Sequence, residues 1–172
     1  MERVMVIGCS GAGKSTFSRK LSQLTALELI HLDQHFWKPN WEEIDKAEWK
    51  EIVEMLSSKP KWIIDGNYGG TMDIRLSRAD TIIFLDYPTL TCLWRVTKRT
   101  LTYRGRERPD MPKGCKERFN LNFYQYVAMY NTTRRKEILD KLAKVKGEKR
   151  MLIFNNDREA SHFLGELREM KE

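Results

Sequence analysis

Short apolar runs alternate with stretches of helical periodicity along the chain. Val4-Met5-Val6-Ile7 is a continuous apolar run closed by Gly8, and it reads as a buried strand. Phe17, Leu21 and Leu24 then recur at helical spacing, which predicts a helix from Lys14 to about Leu24. Leu27 to Leu32 reads as a second strand. Trp49, Ile52, Val53 and Leu56 fall at i, i+3, i+4 and i+7, so residues 46 to 57 are expected to be helical. Lys59-Pro60 ends that helix, because proline cannot continue it. Trp62-Ile63-Ile64 and Thr81-Ile82-Ile83-Phe84-Leu85 are again continuous, followed by Asp65 and Asp86. Runs without polar alternation mark strands covered on both faces.

After Pro88 the pattern is helical, with Leu90, Trp94, Thr97 and Leu101 on one face. Residues 104 to 115 break every periodicity. Phe119, Phe123, Tyr126, Val127 and Tyr130 restart a helix, and their spacing suits packing better than a stacking platform. Met151 to Phe154 is read as a last strand and residues 157 to 170 as a last helix. Alternating strands and helices imply an α/β fold with a parallel, doubly wound sheet. Neither a repeat nor a linker interrupts the pattern, so residues 1 to 172 are expected to form one domain.

Composition narrows the class. Hydrophobic residues are 41% and charged residues 32% of the chain, as in an ordinary globular protein. No apolar run approaches the roughly 20 residues that span a bilayer, and the N-terminus lacks the apolar stretch of a signal peptide. A cytoplasmic protein is expected. Three widely spaced cysteines without a CxxC pair argue against a disulfide framework or a zinc site. Of the net charge of +7, residues 95 to 150 carry 17 Lys/Arg against 6 Asp/Glu, a local excess of +11. A polyphosphate, a nucleic acid backbone or plain solvation would each account for it.

Gly8-Cys9-Ser10-Gly11-Ala12-Gly13-Lys14-Ser15 satisfies G-x-x-x-x-G-K-[ST] between a predicted strand and a predicted helix. Glycines let the backbone turn tightly enough for successive amides to face phosphate oxygens. The free N–H groups and dipole of the following helix attract the same anion. Gly8 to Ser15, together with Thr16, are therefore the expected nucleotide cradle. Lys14 is assigned to the terminal phosphates and Ser15 to Mg²⁺. The guanine-reading N-K-x-D pattern is not met by Asn155-Asn156-Asp157-Arg158, and ATP is the expected nucleotide.

The phosphate loop, Leu32-Asp33-Gln34-His35-Phe36-Trp37, Trp62-Ile63-Ile64-Asp65-Gly66-Asn67-Tyr68 and Arg104-Gly105-Arg106 through Arg108-Pro109-Asp110 resemble the bacterial P-loop proteins identified as DNA topology modulation proteins (FlaR-related). That family is similar in fold to adenylate kinase. The resemblance implies a three-layer, nucleoside/shikimate kinase-like P-loop fold with strand order 2-3-1-4-5. It also implies that Asp65 holds Mg²⁺ through water, that Arg95 stacks on adenine, and that Arg99 contacts phosphates. A basic lid over residues 104 to 115 is expected to cover the nucleotide with arginines such as Arg104 and Arg106. Spacing does not fix which of Arg104, Arg106, Arg108, Arg118 and Arg134 reaches phosphate.

The acceptor half departs from adenylate kinase. Asp-Gly-Phe-Pro-Arg is replaced by Asp65-Gly66-Asn67-Tyr68-Gly69-Gly70, and the next arginines are Arg75 and Arg78. Asp33 follows the second strand, where an acidic residue resembles those of shikimate kinase-like enzymes. A hydroxyl attacking phosphorus must lose its proton, so a carboxylate there suits a hydroxyl acceptor. Asp33 as a turn residue, His35 as a surface histidine, and Trp37 and Trp41 as packing rather than pocket lining are the plainer readings. The expected function is phosphotransfer from ATP with Mg²⁺ to a small-molecule acceptor bound near residues 33 to 60, with Lys14, Asp33 and Arg99 catalytic. A nucleotide-dependent DNA-binding regulator is the alternative, although no DNA-reading motif is present.

Overall fold

A computed structural model describes residues 1–170. β1 (Arg3–Gly8) leads through the glycine loop into α1 (Lys14–Thr25), followed by β2 (Leu29–His31) and the single-turn α2 (Asp33–Phe36). A two-stranded antiparallel ribbon, β3 (Trp37–Lys38) with β4 (Glu42–Glu43), precedes α3 (Lys46–Ser58), β5 (Trp62–Asp65) and the short α4 (Met72–Arg78). β6 (Thr81–Leu85), α5 (Thr89–Tyr103), α6 (Leu121–Met129), α7 (Arg134–Lys144), β7 (Arg150–Phe154) and α8 (Asp157–Glu169) complete the chain.

The five long-range strands form one parallel sheet in the order β2-β5-β1-β6-β7. Counted over those five strands this is 2-3-1-4-5, as expected. β1 is central, flanked by β5 and β6, and Val4 to Ile7 and Ile82 to Leu85 are almost wholly buried, which explains their unbroken apolar runs. Phe17 and Leu21 seat α1 on one face of the core; Trp49, Val53 and Leu56 seat α3.

The helix after Pro88 forms, but it packs through a different face. Leu90, Trp94 and Leu101 are 80%, 63% and 70% exposed, while Cys92, Val96 and Thr100 point inward. The cause is steric. A Cβ on Gly11 would lie 2.4 Å from the Cys92 carbonyl oxygen, so the phosphate loop presses directly on α5 and admits only small residues there. The aromatic segment likewise divides: Val127 and Tyr130 enter the core, Phe119 is 65% exposed, and Phe123 and Tyr126 face a cavity. The pattern did not reveal α7, whose Ile138 and Leu142 are buried among five basic residues. No helix among the described residues is long and apolar enough to cross a membrane.

Candidate active site

The phosphate loop is shaped by backbone crowding. Gly8 and Gly11 have φ of +151° and +90°, and a Cβ at Gly8 would meet the Leu85 carbonyl oxygen at 2.5 Å. Gly13 caps α1 from the left-handed region, without any side-chain cap and without an acid in the first turn. By contrast α3, α6 and α8 have their first amides taken by Asp45, Asn120 and Asn156. The first amides of α1 have no side-chain acceptor, as is also true of α4, α5 and α7. Lys14 Nζ donates to the carbonyls of Gly8 (3.0 Å) and Cys9 (3.2 Å), which holds the ammonium across the loop.

The segment after β5 is bound to this loop. Asn67 accepts from the Gly8 amide at 3.0 Å and donates to the Gly8 carbonyl at 2.8 Å. Arg75, fully buried on α4, donates to the carbonyls of Gly66 (2.7 Å), Asn67 and Tyr68 (3.1 Å). Burial pushes its pKa down to about 9, so it remains a cation at neutral pH. Both Asn67 and Arg75 are structural ties that motif reading overlooked; the Asp-Gly-Asn-Tyr string was their only signal. Asp65 pairs in register with His31, and His31 Nδ1 lies 2.8 Å from its Oδ2. That contact orients a 5% exposed carboxylate one strand from the phosphate loop. Ser15 on α1 and Asp65 supply oxygen ligands only, the kind Mg²⁺ prefers.

A cavity of about 910 Å³ opens beside the loop, and Lys14, Asp33 and Arg99 all line it. Trp37, Trp41, Tyr68, Phe123 and Tyr126 form aromatic walls. Tyr68 sits in the left-handed region (φ 36°), stacks near Phe36 and Trp49 with centroids 4.7 and 4.9 Å away, and donates its hydroxyl to Asp33 Oδ1 at 2.5 Å. Burial raises the Asp33 pKa, and the charge of Asp65 adds to this; the Tyr68 hydrogen bond, Lys14 and Arg108 oppose it. A carboxyl raised in this way is closer to the range useful to a general base. His35 is exposed, away from the site.

Arg95 and Arg99 lie one turn apart on α5 but serve different cavities. Arg95 lines a smaller cavity of about 470 Å³ with Gly13, Thr16, Tyr87 and Asp157. Its guanidinium lies 5.2 Å from the Tyr87 ring centroid and 2.5 Å from Asp157. Arg99 faces the larger cavity, 3.6 Å from Glu117 and 5.5 Å from the Phe123 ring centroid. Arg108 is buried and lines the large cavity; Arg118 and Arg134, beyond the lid, are exposed but also line it. Arg104 and Arg106 are exposed and line neither cavity.

Residues 109 to 116 rest on residues 34 to 41. Gln34 donates to the Pro109 carbonyl (3.1 Å), the Asn40 amide to Gly114 (3.1 Å), and the Trp41 indole to Lys116 (2.9 Å); the Cys115 thiol meets the Lys38 carbonyl at 3.2 Å.

A chain-wide similarity to solved structures places this geometry. Shikimate kinase from Acinetobacter baumannii in complex with shikimate aligns with 99% of this chain and 93% of its own, at TM-score 0.64 and 17% identity. A gluconokinase from Sinorhizobium meliloti 1021 aligns with 99% and 95%, at TM-score 0.53 and 17% identity. Shikimate kinase from Bacteroides thetaiotaomicron aligns with 99% and 98%, at TM-score 0.55 and 15% identity. The fold is that of the P-loop kinases. Within the P-loop kinase fold the large cavity lies at the carboxyl ends of β1, β2 and β5, where open parallel sheets bind ligands. No family model matches the chain, and no curated protein does.

Proposed function

We propose that the protein is an ATP-dependent kinase acting on a small molecule through a hydroxyl group. One observation carries this reading: Lys14, Asp33 and Arg99 reach a single aromatic-walled cavity from three separated segments. Lys14 and the amides of the phosphate loop bind the β and γ phosphates. Arg95 packs against the base in the smaller cavity. Asp33 takes the proton of the acceptor hydroxyl as its oxygen bonds to phosphorus and the bond to the departing diphosphate breaks. Arg99 and Arg108 neutralise the charge in flight, so most of the catalysis is positioning and electrostatics. Ser15 directly, and Asp65 through water, would hold Mg²⁺, whose charge offsets that of the phosphates.

The +11 excess has an internal use in this reading. Arg95, Arg99, Arg108, Arg134, Arg135 and Lys141 each pair with a carboxylate, which favours a lid over a nucleic-acid footprint. Membership of the DNA topology modulation family rests on the resemblance of short segments alone. A screen of nucleosides, nucleotides, sugars and small alcohols for acceptor-dependent ADP release tests the proposal. Turnover with one class identifies the acceptor; no turnover, together with sub-micromolar duplex binding that responds to nucleotide, would replace it.

A further inference from the structure

Arg108 is shared between two carboxylates of unequal standing. Its Nε lies 2.7 Å from Glu117 Oε2, and its Nη1 donates to Asp110 Oδ2 at 3.2 Å. Glu117 is 5% exposed. It also faces Arg99 Nε at 3.6 Å and accepts from the Thr100 hydroxyl at 3.2 Å. Its backbone is pinned on both sides, the amide donating to Arg106 at 2.9 Å and the carbonyl accepting from Gly105 at 2.9 Å. Asp110 is looser: it sits on a turn of the lid, its side chain is 18% exposed, and it is held by Arg108, which lines the same cavity as Lys14.

Charge counting then separates the two. The guanidinium groups of Arg99 and Arg108 and the carboxylates of Glu117 and Asp110 cancel. An incoming triphosphate meets no spare cation from this cluster unless one carboxylate withdraws. Glu117, buried and multiply bound, cannot leave without dismantling the lid base. Asp110 can.

We propose that Asp110 is an internal stand-in for the nucleotide's terminal phosphate: it occupies Arg108 until nucleotide binds and is then displaced, while Glu117 is the permanent positioning residue that aims Arg99 and Arg108. The inference rests on the kinase reading, because it needs a nucleotide in the phosphate loop. Until nucleotide arrives Arg108 is neutralised by the lid's own carboxylate, and the triphosphate must outcompete it.

The two carboxylates should therefore respond to substitution with opposite sign. Calorimetric titration with a non-hydrolysable ATP analogue and with ADP, each in EDTA and in Mg²⁺, reads this directly. Asp110→Asn should tighten the analogue by about tenfold, as loss of one charge-assisted contact allows, and ADP by less. Glu117→Gln should weaken the analogue and leave ADP nearly unchanged, a split that a general loss of packing would not produce. Asp110→Ser repeats the first arm with a smaller side chain, in case the asparagine variant folds poorly. Unchanged or weakened analogue binding in both Asp110 variants overturns the proposal. Weakening seen only with Mg²⁺ overturns it by making Asp110 a metal ligand. Wild-type protein that binds neither nucleotide defeats the kinase reading itself, and the inference with it.

Discussion

In the proposed kinase the phosphate loop and the lid would recognise charge by different means. The loop offers backbone: amides at an uncapped helix start, shaped by glycines that have no room for a side chain. The lid and the helix before it offer side chains, Arg108 and Arg99, that are already partnered by Glu117 and Asp110. One device is preorganised and cannot be misdirected. The other must be released before it acts, and it can therefore be regulated or exchanged. The contrast teaches where substitutions should be catastrophic and where they should be graded.

The largest effect is expected in the loop. Lys14→Ala should cost roughly 3 kcal/mol of transition-state stabilisation, as for other single donors to a developing charge, with the protein still folded by circular dichroism. Gly11→Ala should be worse, since its Cβ would lie 2.4 Å from the Cys92 carbonyl oxygen. Such overpacking typically costs about 1–3 kcal/mol of stability, and nucleotide binding should be lost. Full activity in either variant would remove the loop from the mechanism.

Next come the groups of the acceptor cavity. Asp33→Asn should keep nucleotide affinity and lose roughly two or more orders of magnitude in turnover, the range for a general base. The pH profile gives the sign of the environment. Asp33 acts only when ionised, so its raised pKa moves the acid limb of kcat/KM above the usual carboxylate range, and activity rises with pH through that limb. The Tyr68 hydrogen bond favours the ionised form. Tyr68→Phe should therefore push the limb to still higher pH; a downward move would mean that Tyr68 does not stabilise the carboxylate.

The smallest effect is expected on the outer face of α5. Trp94→Ser should change unfolding free energy by no more than about 0.5 kcal/mol in a denaturant titration, as at other exposed positions. Val96→Ser, two residues on and on the inward face at a fully buried site, should destabilise by more.

That last pair also shows where sequence reading stopped. The strands were legible because burial on both faces leaves an unbroken apolar signature, and the loop because its chemistry demands glycines, lysine and serine at set spacing. The face of α5 was not legible, because hydrophobicity ranks Trp94 and Leu90 above Cys92 and Thr100, while the close approach of Gly11 ranks them by size. Arg108 and Glu117 were not separable from other lid charges, because pairing depends on a hairpin whose register no periodicity records. Arg104 and Arg106, equally plausible from composition, turn outward.

The paired hydrogen bonds between Asn67 and Gly8 have a mechanical meaning. They fasten the acceptor loop to the phosphate loop with the geometry of an extra sheet rung, and Arg75 braces that loop from behind. The floor of the site is thereby a single stiff plate. Any opening stroke must come from the opposite jaw, where four contacts join the lid to the segment of residues 34 to 41. In the proposed kinase both substrates would then pass through one gate, and closing a single seam would exclude water from the transferring phosphate.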